Sequence, residues 1–304
     1  MSKPKIITIV GPTASGKTSL SVEVAKHFNG EVISADSRQI YRGMDIGSGK
    51  VTESEKQGVP HHLLDIADPM AVYSGADFVR DATIAINDIV GRKKTPIIAG
   101  GTFFYIDLLR GNISSAPVPP NEALREELET LSTETLYQTL EEKDPERANS
   151  IDQHNRRRLI RALEIIDSLS KVPAPQKTPS SYEWLTFGID IPNSILHERI
   201  ETRLKDRLNN GMIEEVETLL KNGVTSERLQ SFGLEYKYIA EHLTNNLSYE
   251  KMYEEIFAKS RQFAKRQRTW LKRDKTIVWK PFPAEIEDVK EEIEAFNRPQ
   301  HAIV

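Results

Sequence analysis

The octapeptide Gly11-Pro12-Thr13-Ala14-Ser15-Gly16-Lys17-Thr18 constrains this chain more than any other stretch. It fits G-x-x-x-x-G-K-[ST] and follows a short apolar run, Ile6 to Val10. After it, Leu20, Val24 and Phe28 recur at helical spacing. That strand–loop–helix setting is what the motif needs to cradle phosphate. Its glycines let backbone N–H groups close on phosphate oxygens without Cβ obstruction. Lys17 adds a compact positive charge, and Thr18 Oγ can ligate Mg²⁺ at the helix N-terminus, where the dipole favours anions. The stretch therefore predicts a site for a di- or triphosphate.

At 304 residues, 38% hydrophobic and 28% charged, the chain suits one large α/β domain or two modest ones around a sizeable core. It has no cysteine, which removes disulfides, thiolate metal sites and cysteine nucleophiles together. Any metal must be held by oxygen or imidazole. The opening Met1-Ser2-Lys3-Pro4-Lys5 runs straight into a strand, leaving no room for a signal peptide, and no apolar run approaches a membrane span. A cytoplasmic enzyme without a membrane partner is the expectation. The net charge of −4 averages opposed segments. Lys259 to Lys275 holds eight Lys/Arg against Asp274, whereas Glu285 to Glu294 holds six acids against Lys290. The acidic tail masks a basic segment, so the overall charge excludes no nucleic-acid partner.

Apolar strands alternate with helical patterns, which predicts a parallel sheet with crossover helices. Glu31 to Ala35 reads as a strand ending at Asp36-Ser37-Arg38-Gln39-Ile40-Tyr41, and it is expected to neighbour the phosphate-loop strand. A helix over about Gly75 to Gly91 precedes a buried strand, Thr95 to Ala99, that ends in Gly100-Gly101-Thr102. Ligands in such sheets bind at the carboxyl ends of strands, so Asp36 and Thr102 are expected near the mouth of the loop. Ala116 to Pro120 is a linker, followed by charged helices over about Glu122 to Leu131 and through Asn155 to Glu164. Lys171 to Ser181, rich in Pro and Ser, is a second linker, after which Trp184 to Ile191 returns to the sheet. The chain thus reads as an α/β core, 1–112 and 183–304, with a helical insertion, 113–182. Ser194 is expected to cap a helix carrying Arg199, Arg203 and Arg207 on one face. A long helix from about Tyr249 to Arg273 sets Met252, Ile256, Phe263 and Trp270 in one stripe among basic residues, and a final strand spans Thr276 to Trp279.

ATP- and GTP-hydrolysing proteins with this loop usually carry an apolar strand ending in an Asp that orders Mg²⁺. Here Ile97-Ile98-Ala99 ends in Gly-Gly-Thr instead. Asp36 is the carboxylate expected near the phosphates, as metal ligand or general base; the alternative is an Asp that only caps a turn.

Several stretches in order along the chain closely resemble the bacterial tRNA dimethylallyltransferases. They are Gly11 to Thr18, Asp36-Ser37, Ile40 to Gly47, His61-His62-Leu63-Leu64-Asp65, Gly100-Gly101-Thr102, Arg161-Ala162-Leu163-Glu164, and Lys265-Arg266-Gln267 with Thr269-Trp270. The resemblance runs from Ile6 to about Trp279. It implies a P-loop NTPase-like α/β fold whose loop holds the diphosphate of dimethylallyl diphosphate. It further implies transfer of the dimethylallyl group to N6 of the adenine at tRNA position 37, with Mg²⁺ as cofactor. A monomer is the expected form.

The resemblance also implies roles. Asp36 is the general base for the exocyclic amine, whose lone pair is delocalised into the ring and which gains from losing a proton as the N–C bond forms. Thr13, Lys17 and Thr18 hold the diphosphate, with Mg²⁺ on Thr18, and Arg203 reaches the leaving group from outside the loop. As the C1–O bond breaks, Lys17, Arg203 and Mg²⁺ meet the growing negative charge. The target base must leave its stack. Asp36, Ser37, Arg38, Gln39 and Thr102 match positions around the flipped adenosine and its neighbours. Arg125, Arg158 and Arg161 match or neighbour positions near the anticodon stem. Lys265, Arg266 and Gln267 belong to a segment expected on the sugar-phosphate backbone, where glutamine and tryptophan among basic residues favour RNA.

Two places depart from the pattern. His154-Asn155 stands where many relatives read Asn-Asp, and Gly47-Ser48-Gly49-Lys50 where Gly-Thr-Ala-Lys is usual. Adjacent His61 and His62 do not suit one metal ion. Readings from other classes are a P-loop kinase of a small metabolite, a prenyltransferase of free adenine nucleotides, which needs no tRNA-sized insertion, and a non-catalytic nucleotide-gated RNA-binding protein.

Overall fold

The strands are β1 (Lys5–Val10), β2 (Gly30–Ser34), β3 (His61–His62), β4 (Thr95–Gly100), β5 (Glu183–Asp190) and β6 (Val278–Pro281). They form one fully parallel sheet in the order β3-β2-β4-β1-β5-β6. The computed structural model describes residues 3–114, 116–174 and 176–298; Met1-Ser2 of the opening segment and Pro175 of the second linker lie outside the described residues. The central strands read as continuous apolar runs because a parallel sheet is covered on both faces. Ile6, Ile7, Ile9, Ile33, Ile97 and Ile98 are fully buried.

The strand order corrects one expectation. β2 does not neighbour β1, because β4 lies between them, pairing Ile98 with Ile33 on one side and Ile97 with Ile7 on the other. Asp36 reaches the loop by a different route. The chain leaving β2 crosses the end of β4: Ala35 N donates to Ala99 O at 2.8 Å, and Thr102 N donates to Ala35 O at 3.0 Å. Gly100 permits the crossing, since a Cβ there would lie 2.8 Å from Ala35 Cα and closer still to its carbonyl.

One further detail agrees with the expectation for the paired histidines, and three differ. His61-His62 forms the edge strand β3, where successive side chains point to opposite faces. His62 Nε2 accordingly lies 2.7 Å from Glu31 Oε2, while His61 Nδ1 lies 2.9 Å from Val59 O. β6 begins at Val278 because Asp274 Oδ1 accepts from both N and Oγ1 of Thr276 and holds that residue in a turn. Ser194 is no cap: the helix is Asn193–Asn209, with Pro192 at the N-cap and Ser194 already inside the first turn. The long helix, Tyr249–Leu271, buries Met252, Ile256, Ser260, Ala264, Gln267 and Leu271. Its buried row advances mostly by four residues rather than seven, which brings small Ser260 and Ala264 inward and leaves Phe263 and Trp270 at the edge.

The chain divides into two compact units, 1–110 with 179–304, and 111–178. Among its described residues the second unit holds four helices, Glu122–Glu129, Thr133–Lys143, Pro145–Ser150 and Arg156–Leu169, N-capped by the side chains of Asn121, Ser132, Asp144 and Asn155. Such caps satisfy first-turn N–H groups and are worth about 1 kcal/mol each. Leu128, Leu136, Leu140, Leu159 and Leu163 form its core. Among the described residues, no helix is long and apolar enough to cross a membrane.

Glu31 of β2 generates a pH prediction. Its side chain is 2% exposed, and Arg92, Lys94 and His62 surround the carboxylate. The Arg92 hydrogen bond, opposed by burial and aided by Lys94 and His62, holds the Glu31 carboxyl well below the usual range. A carboxyl depressed in the folded state contributes stability above its unfolded value of about 4.3, and that contribution is lost as pH falls. Glu31→Gln should cost about 1.5–3 kcal/mol at neutral pH. The gap in urea midpoint between wild type and variant should narrow steadily below about pH 4.3. An undiminished gap under acid would mean that Glu31 acts through packing.

Candidate active site

The phosphate loop follows β1 directly. Gly16 takes φ 89° at the N-cap of the helix Lys17–His27, a left-handed conformation that glycine adopts without Cβ strain. No side chain caps this helix, so its first-turn N–H groups form an anion site from backbone alone. The loop is also held from within: Lys17 Nζ donates to Pro12 O at 2.7 Å, and Thr13 N donates to Gln267 Oε1 at 2.8 Å.

One cavity gathers Thr13, Lys17 and Thr18 of the loop with Asp36, Arg38, Gln39, Arg203, Arg207, Phe263 and Gln267. The residues expected to hold diphosphate and the residue expected to act as base therefore share one space. Asp36 also closes a turn, its Oδ1 accepting from Arg38 N at 2.9 Å and Gln39 N at 3.4 Å; Oδ2 takes no part in that turn. Next to it, Ser37 N donates to Thr102 Oγ1 at 3.0 Å. Gln39 Nε2 donates to Gly49 O at 3.1 Å.

Burial dominates the electrostatics. It pushes Lys17 down to about 8; Asp36 opposes the shift and Arg203 adds to it. Burial likewise lowers Arg203 to about 10, with Arg207 the next contributor. Glu235 is buried, which alone would raise its carboxyl, but Arg38 and Arg207 outweigh burial and hold it below the ordinary value. Glu235 Oε2 accepts from Arg38 Nη1 at 2.6 Å, and Oε1 lies 3.3 Å from Arg207 Nη1.

Among the described residues no group of three or more His, Asp or Glu side chains could hold a metal. The donors present suit Mg²⁺ on a phosphate: the exposed Thr18 hydroxyl at the cavity, with phosphate oxygens and water for the remaining positions.

The other expected site residues separate into free and committed side chains. Gln267, grouped in the sequence with its basic neighbours, is buried, and its amide is used inside the protein: Oε1 accepts from Thr13 N, and Nε2 donates to Gly101 O at 2.9 Å. Lys265 and Arg266 are exposed on the same helix, with Arg266 over the Phe263 ring at 5.8 Å. In the second unit, Arg125 and Arg161 both pair with buried Glu164, at 2.8 and 3.3 Å, and Arg161 Nη2 also donates to Val118 O at 2.6 Å. Arg158 is exposed on the helix whose N-cap is Asn155.

Sequence reasoning missed two acids. Glu215 accepts from the backbone N–H groups of Asp45, Ile46 and Gly47 at 2.7, 2.6 and 3.0 Å, and from Tyr236 Oη at 2.9 Å, fixing the turn that leads to Gly49. Glu235 joins two arginines. The available signal was a carboxylate beside buried apolar positions, Glu215 before Val216 and Glu235 before Tyr236.

The chain is similar to known proteins along nearly all of its length. The family model described as IPP transferase matches residues 39–274. The tRNA dimethylallyltransferase of an Exiguobacterium species is 40% identical, over 98% of this chain and 98% of that protein. The full-length tRNA isopentenylpyrophosphate transferase of Bacillus halodurans superimposes with a TM-score of 0.71 at 37% identity, covering 97% of this chain and 95% of that one. A eukaryotic dimethylallyltransferase acting on tRNA superimposes with a TM-score of 0.80 at 27% identity, covering 99% and 81%.

The depressed Lys17 ammonium gives a direct test of the anion site. With a value of about 8, it is partly neutral above that pH, and a bound anion that restores its charge must draw in a proton. Calorimetric titration of inorganic diphosphate at alkaline pH, in two buffers of different ionisation enthalpy, should report greater proton uptake by wild type than by Lys17→Met. Equal uptake would assign the titrating group elsewhere.

Proposed function

Since this chain belongs to the IPP transferase family and is a tRNA prenyltransferase, we propose that its cavity transfers a dimethylallyl group from dimethylallyl diphosphate to N6 of adenosine 37 of tRNA, releasing diphosphate. The observation that carries this reading is the single cavity in which Asp36 faces a phosphate loop and Arg203. A strand ending in Gly100-Gly101-Thr102, not Asp, goes with a loop that holds a leaving diphosphate rather than one that hydrolyses a nucleotide.

The adenine N6 lone pair forms a bond to C1 of the prenyl group as the C1–O bond breaks and its electron pair leaves on the diphosphate. Asp36 takes the N6 proton. Lys17 and Arg203 meet the charge that grows on the departing oxygens, where buried cations act more strongly than in water. Mg²⁺, on Thr18 and phosphate oxygens, would supply further positive charge to the diphosphate. Ser37, Arg38, Gln39 and Thr102 receive the extruded adenosine, since a stacked base cannot reach the donor. Arg158, Lys265 and Arg266 are the exposed cations available to the RNA backbone, and all named groups lie on one chain, so a monomer suffices. A cytoplasmic site of action goes with a tRNA substrate.

Dimethylallyl diphosphate with Mg²⁺ and no ATP should add one prenyl group to tRNA, found by mass analysis at the nucleoside next to the anticodon. An ATP requirement with phosphate on the product would instead make the chain a kinase. Arg158→Ala and Arg266→Ala should weaken tRNA binding, spare diphosphate binding and flatten the salt dependence, because fewer counterions are released. An unchanged salt slope in both would remove these arginines from the RNA interface. Asp36→Asn keeps the size but cannot take a proton, and a general base is worth about 10²–10⁴-fold. Single-turnover transfer with both substrates saturating should fall by that order while tRNA affinity changes modestly; near wild-type transfer would rule Asp36 out as the base.

A further inference from the structure

Arg207 lies one helical turn beyond Arg203 on the helix Asn193–Asn209, and both guanidinium groups line the cavity that holds Lys17 and Asp36. They meet at Gly49. A Cβ on Gly49 would overlap Arg207 Nη2 and stand 3.1 Å from Arg203 Nη2, so the bare glycine lets both guanidinium groups lie against this wall as they do here. The turn that presents Gly49 is anchored by Glu215 and by Gln39. Arg207 is also aimed. Glu235 engages its Nη1 at 3.3 Å, which leaves Nη2 over Gly49, while the shorter 2.6 Å bond of Glu235 goes to Arg38. One buried carboxylate thus serves two arginines, and a third guanidinium lies alongside. Like charges this close repel in a poorly screened site, and an anion set against both Arg203 and Arg207 relieves that repulsion. Guanidinium forks match diphosphate oxygens in geometry as well as charge.

We propose that Arg207 is a second guanidinium contact to the diphosphate of the prenyl donor, beside Arg203, and that Glu235 is the positioning residue that sets it against the Gly49 wall. This rests on the reading of the cavity as a diphosphate site and adds a contact outside the phosphate loop. A phosphodiester of tRNA offers the same oxygen chemistry, so the experiment measures both ligands.

Affinity for inorganic diphosphate with Mg²⁺, affinity for tRNA, and the donor KM are compared in wild type, Arg207→Met, Arg207→Lys and Glu235→Gln. Arg207→Met should weaken diphosphate binding roughly ten- to hundredfold, the worth of one charged hydrogen bond, and raise the donor KM, with tRNA affinity held within about twofold. Arg207→Lys should recover part of the loss. Glu235→Gln should weaken diphosphate binding in the wild-type background and add little in the Arg207→Met background, because it acts through Arg207. Should Glu235→Gln fail to fold, Glu235→Asp, which keeps the charge and shortens the reach, takes its place in the cycle. Diphosphate affinity within about twofold of wild type in Arg207→Met overturns the contact; a loss confined to tRNA assigns Arg207 to an RNA phosphate. Additive losses in the double variant overturn the positioning role. Failure of wild type to transfer a prenyl group to tRNA would sink the proposed reaction, yet inorganic diphosphate binding would still decide Arg207.

Discussion

Positive charge confined in a small space is the constraint around which the first unit is arranged. Lys17, Arg38, Arg203 and Arg207 share one cavity with Asp36, and Glu235 lies behind them, paired with Arg38 and Arg207. Two unit charges about 4 Å apart repel by about 4 kcal/mol at an effective dielectric constant near 20, more than a typical net hydrogen bond returns. Holding such a cluster therefore requires rigid walls. Glu215 pins the Asp45 turn to the helix Met212–Lys221, and Gln267 ties the phosphate loop to the end of β4. The apolar cluster of Met44, Met212, Val216, Tyr236 and Met252 fills the space behind the turn.

The sequence was legible where structure is local. The phosphate loop and the Gly75–Gly91 helix depend on residues a few positions apart, and Ser74 with Asp77 forms a capping box at the start of that helix. Strand order is not local, so the insertion of β4 between β2 and β1 could not be read from Glu31 to Ala35. The same limit hid Glu235, whose meaning comes from Arg38 and Arg207 at separations of 197 and 28 residues. Ser194 failed as a cap because Pro192 had already set the helix entry, a case in which one fixed backbone angle outranks a favourable side chain.

Composition also conceals which arginines are free. In Arg156-Arg157-Arg158, Arg156 donates to the carbonyls of Leu131 and Glu129 at 2.5 and 2.6 Å, whereas Arg158 is exposed. Arg268 is committed to Asp190, Asn193 and the Ile191 carbonyl, while Lys265 and Arg266 beside it are exposed. A basic run is thus a mixture of internal ties and surface charge. The distinction is made by carbonyls and carboxylates far away in sequence, which no periodicity reports.

The amide of Gln267 joins Thr13 across 254 residues and Gly101 across 166. On a ribosome the chain emerges from its N-terminus, so β1 to β4 and the phosphate loop are exposed to the cell well before Gln267 leaves the exit tunnel. β5 and β6, which complete one side of the sheet, come later than the second unit as well. Until then the loop lacks the helix that holds Thr13 and the arginines that share its cavity with Lys17. The anchor of the phosphate loop is thus among the last parts of the chain to be made, on its last long helix.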